Sequence, residues 1–405
     1  MKIKEIKTRV IYNTRGEETL EVDLITDDGF IAFASAPSGK SKSSKEPKYV
    51  EVGSERLGVR EIVGVLEKID IENPSEFDEI ILKIDGTADK SRLGVNLILP
   101  ISIAFRRLLA FKKKIPLWQV LSEEILAIGG FVADEEIKKS PIFLFNMLNG
   151  GAHSKNNLSF QEYLVVVDEK NSRKNLETGL VIYKKVKNLY PNAGLGDENG
   201  FSFNFENSTK PFEVLQDIIQ ELNVSENVKL GVDAAATSFY SDGKYHFDEK
   251  ISSRDEFAGV YDYIINKFGI SYLEDPFYEE DFEGFAKLNE KSKKNFNFST
   301  FPQCVIIGDD LTSTNANLIK QAISQKSISG VIIKPNQIGT VKETFDAVKI
   351  AKENNIKIIV SHRSGETDDN FICHLAKAVG AWAVKFGAPA KDRIFKYNEI
   401  MRITE

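Results

Sequence analysis

The sequence predicts an α/β protein with a (β/α)8-type barrel over residues 138–405, preceded by a smaller α+β unit over residues 1–137. Three observations carry this. The chain has 405 residues, too long for one ordinary domain and comfortable for two. Its first 50 residues carry a strong hairpin signal. Its last 268 residues repeat one theme, a short β-branched run ending in a charged residue, then a loop, then a helical stretch.

In the N-terminal unit, residues 21–26 (EVDLIT) and 30–35 (FIAFAS) flank the turn Asp27-Asp28-Gly29, as two strands of a hairpin would. A Lys/Ser-rich loop follows at 37–48, PSGKSKSSKEPK, with the composition of a solvated surface loop. Apolar residues then recur at three- and four-residue spacing over 59–69 and 96–111, which predicts helices. Residues 131–140 read as a linker.

In the barrel unit the runs are VKLGVDAAA, ISYLEDPF, VIIGDDLT, GVIIKPNQ, IKIIVSHRSG and WAVKFGAP. Their charged ends fall at Asp233, Glu274, Asp309, Lys334, His362 and Lys385, spaced by 41, 35, 25, 28 and 23 residues. Each interval accommodates a strand and a crossover helix. In a barrel of this kind the C-terminal strand ends share one mouth, where active sites sit. The six residues are therefore predicted around a single opening, in that order.

Composition narrows the function. Hydrophobic residues make up 42% and charged residues 28%, which excludes a mostly disordered chain. The net charge of −7 disfavours a general nucleic-acid binder. Cys304 and Cys373 are the only cysteines and read as reduced thiols. The first 23 residues are charged throughout and lack the apolar core of a signal peptide. The greasiest stretch, 97–105, is broken by Pro100 and is too short to span a membrane. A cytoplasmic protein is expected.

The chemistry of the mouth follows from its residue types. Asp233, Glu274 and Asp309 on consecutive strand ends repel one another unless a cation lies between them. Hard oxygen donors without His or Cys point to a divalent cation, Mg2+ above all, and away from zinc. A single strand-end Asp reads as an ordinary helix N-cap; three in consecutive units do not. Lys334 and Lys385, beside a metal ion and other cations, are expected to have lowered pKa values suited to a base. Such a base opposite metal-binding carboxylates suggests removal of a proton next to a carboxylate. Arg363 and Ser364, in the loop SHRSGET, offer a planar fork and a hydroxyl for a phosphate or carboxylate. Two glycine-rich loops complete the set: Asn149-Gly150-Gly151-Ala152-His153, with Gln161-Glu162 shortly after, and Gly196-Asp197-Glu198-Asn199-Gly200.

Ordered segments along nearly the whole chain resemble the enolase family, the phosphopyruvate hydratases. They are TRGEETLEVD, PSG at 37–39, LGVNLIL at 93–99, NGGAHSKNNLSFQEY at 149–163, GDENG at 196–200, GVDAAATSF, LEDPFYEED, GDDLTSTN, KPNQIGT, SHRSGETDD, KFGAP and KYNEIMRITE. The resemblance implies an α+β cap on a modified TIM-type barrel. It also implies Mg2+, two ions per site with the second bound beside the substrate, and reversible dehydration of 2-phosphoglycerate to phosphoenolpyruvate.

Carried over by position, Asp233, Glu274 and Asp309 match ligands of the first Mg2+, and Ser38 a ligand of the second. Lys334 matches the base for the C2 proton and Glu198 the acid for the departing hydroxyl. Arg363 and Ser364 match the phosphate grip, with His153 nearby on a mobile loop. Gln161 and Glu162 match residues facing the hydroxyl, Lys385 a contact to the substrate carboxylate, and His362 a residue lining the pocket. The resemblance also implies a homodimer or an assembly of dimers, acting on a small phosphorylated substrate.

Some positions depart from the family pattern. The loop usually reading Ser-Gly-Ala-Ser-Thr-Gly is Ser38-Gly39-Lys40-Ser41-Lys42-Ser43 here, with Ser44 and Lys45 following. Asn199 replaces a usual glycine, Pro335 follows the matched lysine, Phe386 replaces a usual threonine, and the segment 390–393 is one residue short. The lysine-rich loop motivates an alternative: an enolase-like protein with weak or no hydratase activity, kept for a binding or structural role. A relative acting on another carboxylate is a third reading, opposed by the Arg363-Ser364 pair.

Overall fold

The computed structural model describes residues 1–40, 43–294 and 304–405. Ser41 and Lys42 of the lysine-rich loop lie outside the described residues.

The chain opens with three antiparallel strands in the order β1 (Ile3–Tyr12), β2 (Glu18–Thr26) and β3 (Ile31–Ser35). The β2–β3 turn is the hairpin that Asp27-Asp28-Gly29 predicts. Gly29 takes φ 89° there, a conformation favourable only to glycine. Leu20, Val22 and Leu24 of β2, with Ala32 and Ala34 of β3, point to one buried face, as the two-residue period of a strand requires.

That face packs on α3 (Val95–Lys113), one of four helices that follow with α1 (Arg56–Leu66), α2 (Pro74–Asp85) and α4 (Leu117–Ala127). The α3 helix runs on through Pro100. It is buried along most of its length because the sheet covers one side and α2 and α4 cover others. Burying its Arg106 requires partners. Asp78 holds it at 2.7 Å and Glu124 at 2.5 Å, all three side chains being inaccessible. The stretch read as a linker contains a short helix, α5 (Asp134–Lys138), whose first turn is acidic, as the helix dipole favours.

Eight strands then close a barrel: β4 (Ile142–Asn149), β5 (Glu162–Val167), β6 (Val228–Asp233), β7 (Ile270–Glu274), β8 (Val305–Gly308), β9 (Gly330–Ile333), β10 (Lys357–Ser361) and β11 (Ala383–Lys385). Closure comes from parallel pairing of β11 with β4. The strand β5 runs antiparallel to both neighbours. Its connection from β4 holds only a single 3-10 turn at Gly151–His153, without the helix that returns a parallel strand. From β5 onward helices clothe the outside, beginning with α6 (Ser172–Leu189) and α7 (Lys210–Glu221). They continue through α8 (Arg254–Phe268), α9 (Phe282–Lys294) and α10 (Ala316–Ser324) to α11 (Val341–Glu353), α12 (Phe371–Ala378) and α13 (Ile394–Thr404). The lumen is filled by Leu144, Leu164, Tyr272, Ile307, Ile332 and Ile359 among others, so it is a core and not a pore.

The reversal of β5 matters for the site. It brings the start of β5 to the mouth formed by the ends of the other strands. Glu162 is in register with Asn149 on one side and Asp233 on the other. The N-terminal unit sits over the same rim. Ser38 and Gly365 exchange backbone hydrogen bonds of 2.8 and 2.9 Å, and Arg107 grips Asp369 at 2.8 Å. Cys304 and Cys373 are free and buried.

Candidate active site

Parallel register aligns the carboxylates: Glu274 pairs with Asp233 across β7 and β6, and Asp309 follows the last residue of β8. All three are buried. The ammonium of Lys385, at the end of β11, lies among them. It is 3.1 Å from Asp233, 2.9 Å from both oxygens of Glu274, and 3.1 Å from Glu162. Lys334, just beyond β9, pairs instead with Asp309, whose other oxygen accepts from Gln337 at 3.0 Å. Asp233 and Glu274 thus converge on one lysine, while Asp309 is drawn towards another.

The neighbouring carboxylates set the charge state of both lysines. Burial does disfavour the Lys334 ammonium, but the Asp309 carboxylate outweighs it, and the pKa is raised. Lys385 likewise stands well above its ordinary value, since Asp233, Glu162 and Glu274 together outweigh burial. The lowered values expected from the sequence belong to lysines beside a metal ion; these raised values are set by the carboxylates alone.

The donor set suits a hard divalent cation. Glu162, Asp233, Glu274 and Asp309 set four carboxyl groups against two ammonium groups in a buried place. Burial and the repulsion of Asp233 push Glu274 well above the usual carboxylate range, the signature of negative charge in want of a counter-charge. The side-chain oxygen of Gln161 is buried beside Asp233 without a hydrogen-bond partner. Among the described residues two other groups bring three ligand atoms within 4.8 Å of one another: His153, Glu162 and Glu198, and Asp275, Asp309 and Asp310.

Glu198 is carried on the GDENG loop, wedged against β4. A Cβ at Gly196 or Gly200 would fall 2.6 Å from the Asn149 side chain, so both glycines are needed for the approach. Its carboxylate is 3.1 Å from His362 and 3.8 Å from His153, and accepts from Asn146 at 3.1 Å. His153 is also 3.5 Å from Glu162. Burial and the Glu198 charge push Glu162 up to about 7. In Glu198 burial is outweighed by the two histidines and Lys385, and its pKa falls well below the ordinary range. Two carboxyls flanking His153 are thereby split, one holding a proton and one ionised.

Arg363 and Ser364 follow β10. The guanidinium is engaged by Glu46 of the lysine-rich loop at 2.9 and 3.1 Å and by Asn336 at 3.0 Å. Gly39 packs against it so closely that a Cβ would lie 1.8 Å from the nearer nitrogen. Ser364 accepts hydrogen bonds from Arg15 at 2.8 Å and from the Lys40 backbone at 2.9 Å. The added lysines of the loop are tied to the barrel rim. Lys40 pairs with Asp197 at 2.9 Å, and Lys45 donates to the carbonyl oxygens of Glu279, Asp310 and Leu311. Ser38 is not brought to the carboxylates: its hydroxyl accepts from Asn13 at 2.9 Å and faces Glu17 at 3.4 Å.

Two features escaped the sequence. Arg393, fully buried, donates to His362 Nδ1 at 3.0 Å and to the carbonyls of Arg363 at 2.9 Å, Ser364 at 2.6 Å and Asp197 at 3.1 Å. It stitches the SHRS and GDENG loops together, and only its place in the shortened 390–393 segment drew notice to it. Glu46 carries no signal of its own in the sequence, being one charge in a lysine-rich loop. Two departures also prove to be one: Asn199, at φ 64°, donates to Asp392 of that shortened segment at 2.9 Å.

Comparison with known proteins agrees with this architecture. The family description "Enolase, N-terminal domain" matches residues 3–121, and "Enolase, C-terminal TIM barrel domain" matches residues 138–405. The protein named Enolase of Neorickettsia sennetsu is 33% identical over 421 residues, covering 100% of this chain and 98% of the relative. That of Natranaerobius thermophilus is 35% identical over 424 residues, covering 100% and 95%. That of Methanocaldococcus jannaschii is 33% identical over 422 residues, with the same two coverages. With both domain descriptions matched and relatives aligned over its full length, the chain belongs to the enolase family.

Proposed function

We propose that this chain is a phosphopyruvate hydratase, a lyase of glycolysis and gluconeogenesis that reversibly dehydrates 2-phosphoglycerate to phosphoenolpyruvate. Residues 138–405 form its catalytic barrel and residues 1–137 its cap. The observation that carries the reading is the division of one mouth into three chemistries: the carboxylate–lysine cluster, the Glu162–His153–Glu198 set, and the Arg363–Ser364 anion grip.

In this reading Arg363 and Ser364 take the substrate phosphate, Lys385 its carboxylate, and His153, Gln161 and His362 line the pocket. Lys334 removes the C2 proton. To do so it must first part from Asp309, which keeps it protonated in the free protein. The departing hydroxide needs a proton from a separate acid, and Glu198 supplies it. Glu198 is ionised in the free protein, so it must first take up a proton, for which His153 and Glu162 are the neighbouring groups. Two Mg2+ ions, one on Asp233, Glu274 and Asp309 and one on Ser38 with substrate, would supply the positive charge that stabilises the dianion left by proton loss. The active form is a cytoplasmic homodimer or an assembly of dimers.

The reading of a weakly active protein kept for binding rested on the lysine-rich loop. Lys40 and Lys45 are engaged at the barrel rim, so these two lysines lend that reading no support. The test is the ultraviolet absorbance of phosphoenolpyruvate forming from 2-phosphoglycerate, with Mg2+ and then with chelator, beside Lys334→Ala. Metal-dependent turnover abolished in the variant is expected. Folded, Mg2+-loaded protein without turnover would overturn the assignment.

A further inference from the structure

At the other end of the barrel, away from the mouth, the structure holds a second polar cavity of about 370 Å3. It is built where β10 begins and β11 is about to begin, so its walls are rigid. Its lining includes Lys139, at the C-terminal cap of α5, Lys352 of α11, Lys357 at the first position of β10, Asn355, Trp382 and Glu136. Three lysines against one glutamate leave two positive charges in a chain whose net charge is −7.

These lysines differ. Lys352 is engaged, 2.9 Å from Glu136 and 3.3 Å from the Gly380 carbonyl. Lys357 is half-buried and lies 4.6 Å from the centre of the Trp382 ring. Among the described residues neither Lys357 nor Lys139 has a carboxylate within ion-pair distance or a hydrogen-bond acceptor for its ammonium. Burial lowers the Lys357 pKa, Lys139 lowers it further, and Asp168 opposes them only from a distance. The half-buried ammonium of Lys357 has the exposed Lys139 as a like-charged neighbour, which disfavours its charged form.

We propose that this cavity is a binding site for a compact dianion of the phosphate-monoester class. Two lysines lining one cavity suit one doubly charged group better than two separate carboxylates, because a phosphate offers several oxygens around a single centre. The volume exceeds that of a bare phosphate and leaves room for an organic body against the indole. The site is independent of the catalytic mouth, so its fate does not depend on the assignment above.

The chain has two tryptophans, so Trp118→Phe makes Trp382 the sole fluorescent reporter. Inorganic phosphate and then phenyl phosphate are titrated into this protein against sodium chloride at matched ionic strength. A saturable change with either phosphate is expected, tighter with phenyl phosphate if the indole wall contributes and equal if only the anion is read. Lys357→Met, made in the Trp118→Phe background, is expected to weaken it about tenfold, and Lys139→Met to weaken it less. Two results would overturn the proposal. One is a response reproduced by chloride or absent altogether. The other is a response of the same midpoint in Lys357→Met that has kept its hydratase activity, which would place the anion at Arg363 instead.

Discussion

The guanidinium of Arg363 is held by the carboxylate of Glu46, at 2.9 and 3.1 Å, with both side chains buried. The chain therefore places its own anion on the arginine proposed to grip the substrate phosphate. Substrate must share this arginine or displace Glu46. Glu46→Gln removes the competing charge from Arg363. The loss of a buried partner costs about 3 kcal/mol, and inorganic phosphate restores more of it than in the unmodified protein. Denaturant unfolding with and without phosphate checks this. Equal phosphate gains in both proteins would show that Glu46 does not compete.

A second prediction concerns Arg393. A guanidinium can only donate, so His362 Nδ1, 3.0 Å away, must be the acceptor. The ring proton is then on Nε2, on the side facing Glu198. Burial first, and the Arg393 charge with it, push the His362 pKa down to about 4 against the pull of Glu198. In Arg393→Met that value rises and the tautomer is released. A pH titration of the His362 ring by NMR should show the shift. The acid limb of the activity profile should move upward in pH, while Arg393→Lys, which can still donate, moves it less.

The same histidine makes stability depend on pH. Its folded value, about 4, is below the unfolded value of about 6.5. Below pH 6.5 the unfolded chain takes up a proton that the folded protein refuses. Stability therefore falls as pH drops from about 6.5 to about 4, by about 3 kcal/mol from this group. His153, whose value is raised, works in the opposite sense. Comparing unfolding free energies of the protein and His362→Gln isolates the contribution: the difference should shrink as pH falls through that window. A constant difference would mean that His362 is not held neutral.

Divalent cation should stabilise the fold even without substrate. Four buried carboxylates face two ammonium groups at the mouth, and a ligand present at a hundredfold excess over its Kd adds about 2.7 kcal/mol. Thermal unfolding should shift upward with Mg2+ and return with chelator. Glu274→Gln should lose most of the shift. An unchanged shift in that variant would move the cation to the Asp275, Asp309 and Asp310 group.

The reach of the sequence is clearest at the strand ends. Asp233, Glu274, Asp309, Lys334, His362 and Lys385 were legible because each closes a β-branched run, and such ends share a mouth whatever else the fold does. The direction of β5 was not legible, because alternation and burial are the same read either way along a strand. Only the lack of a crossover helix between Asn149 and Glu162 signals the reversal. The pairing of Lys334 with Asp309 was not legible, because Asp309 comes from the neighbouring strand, a tertiary fact. Arg393 has no motif; its importance lies in three backbone carbonyls brought to it from two loops.

Asn199 and Asp392 show two departures that support each other, and this too can be tested. Asn199 sits at φ 64°, where a non-glycine residue carries a cost of about 1 kcal/mol. Its side chain recovers a similar amount by donating to Asp392 at 2.9 Å. Asn199→Gly removes both the strain and the bond, so stability should change by less than about 0.5 kcal/mol. Asn199→Ala keeps the strain and loses the bond, and should cost about 1–2 kcal/mol. Asp392→Ala loses this bond together with its 3.1 Å contact to Arg393, so it should cost more than the bond alone, and only the part due to Asn199 should vanish when it is combined with Asn199→Gly. If Asn199→Ala proved no worse than Asn199→Gly, the side chain would contribute nothing. The shortened 390–393 segment would then need another explanation for its fit against the GDENG loop that carries Glu198.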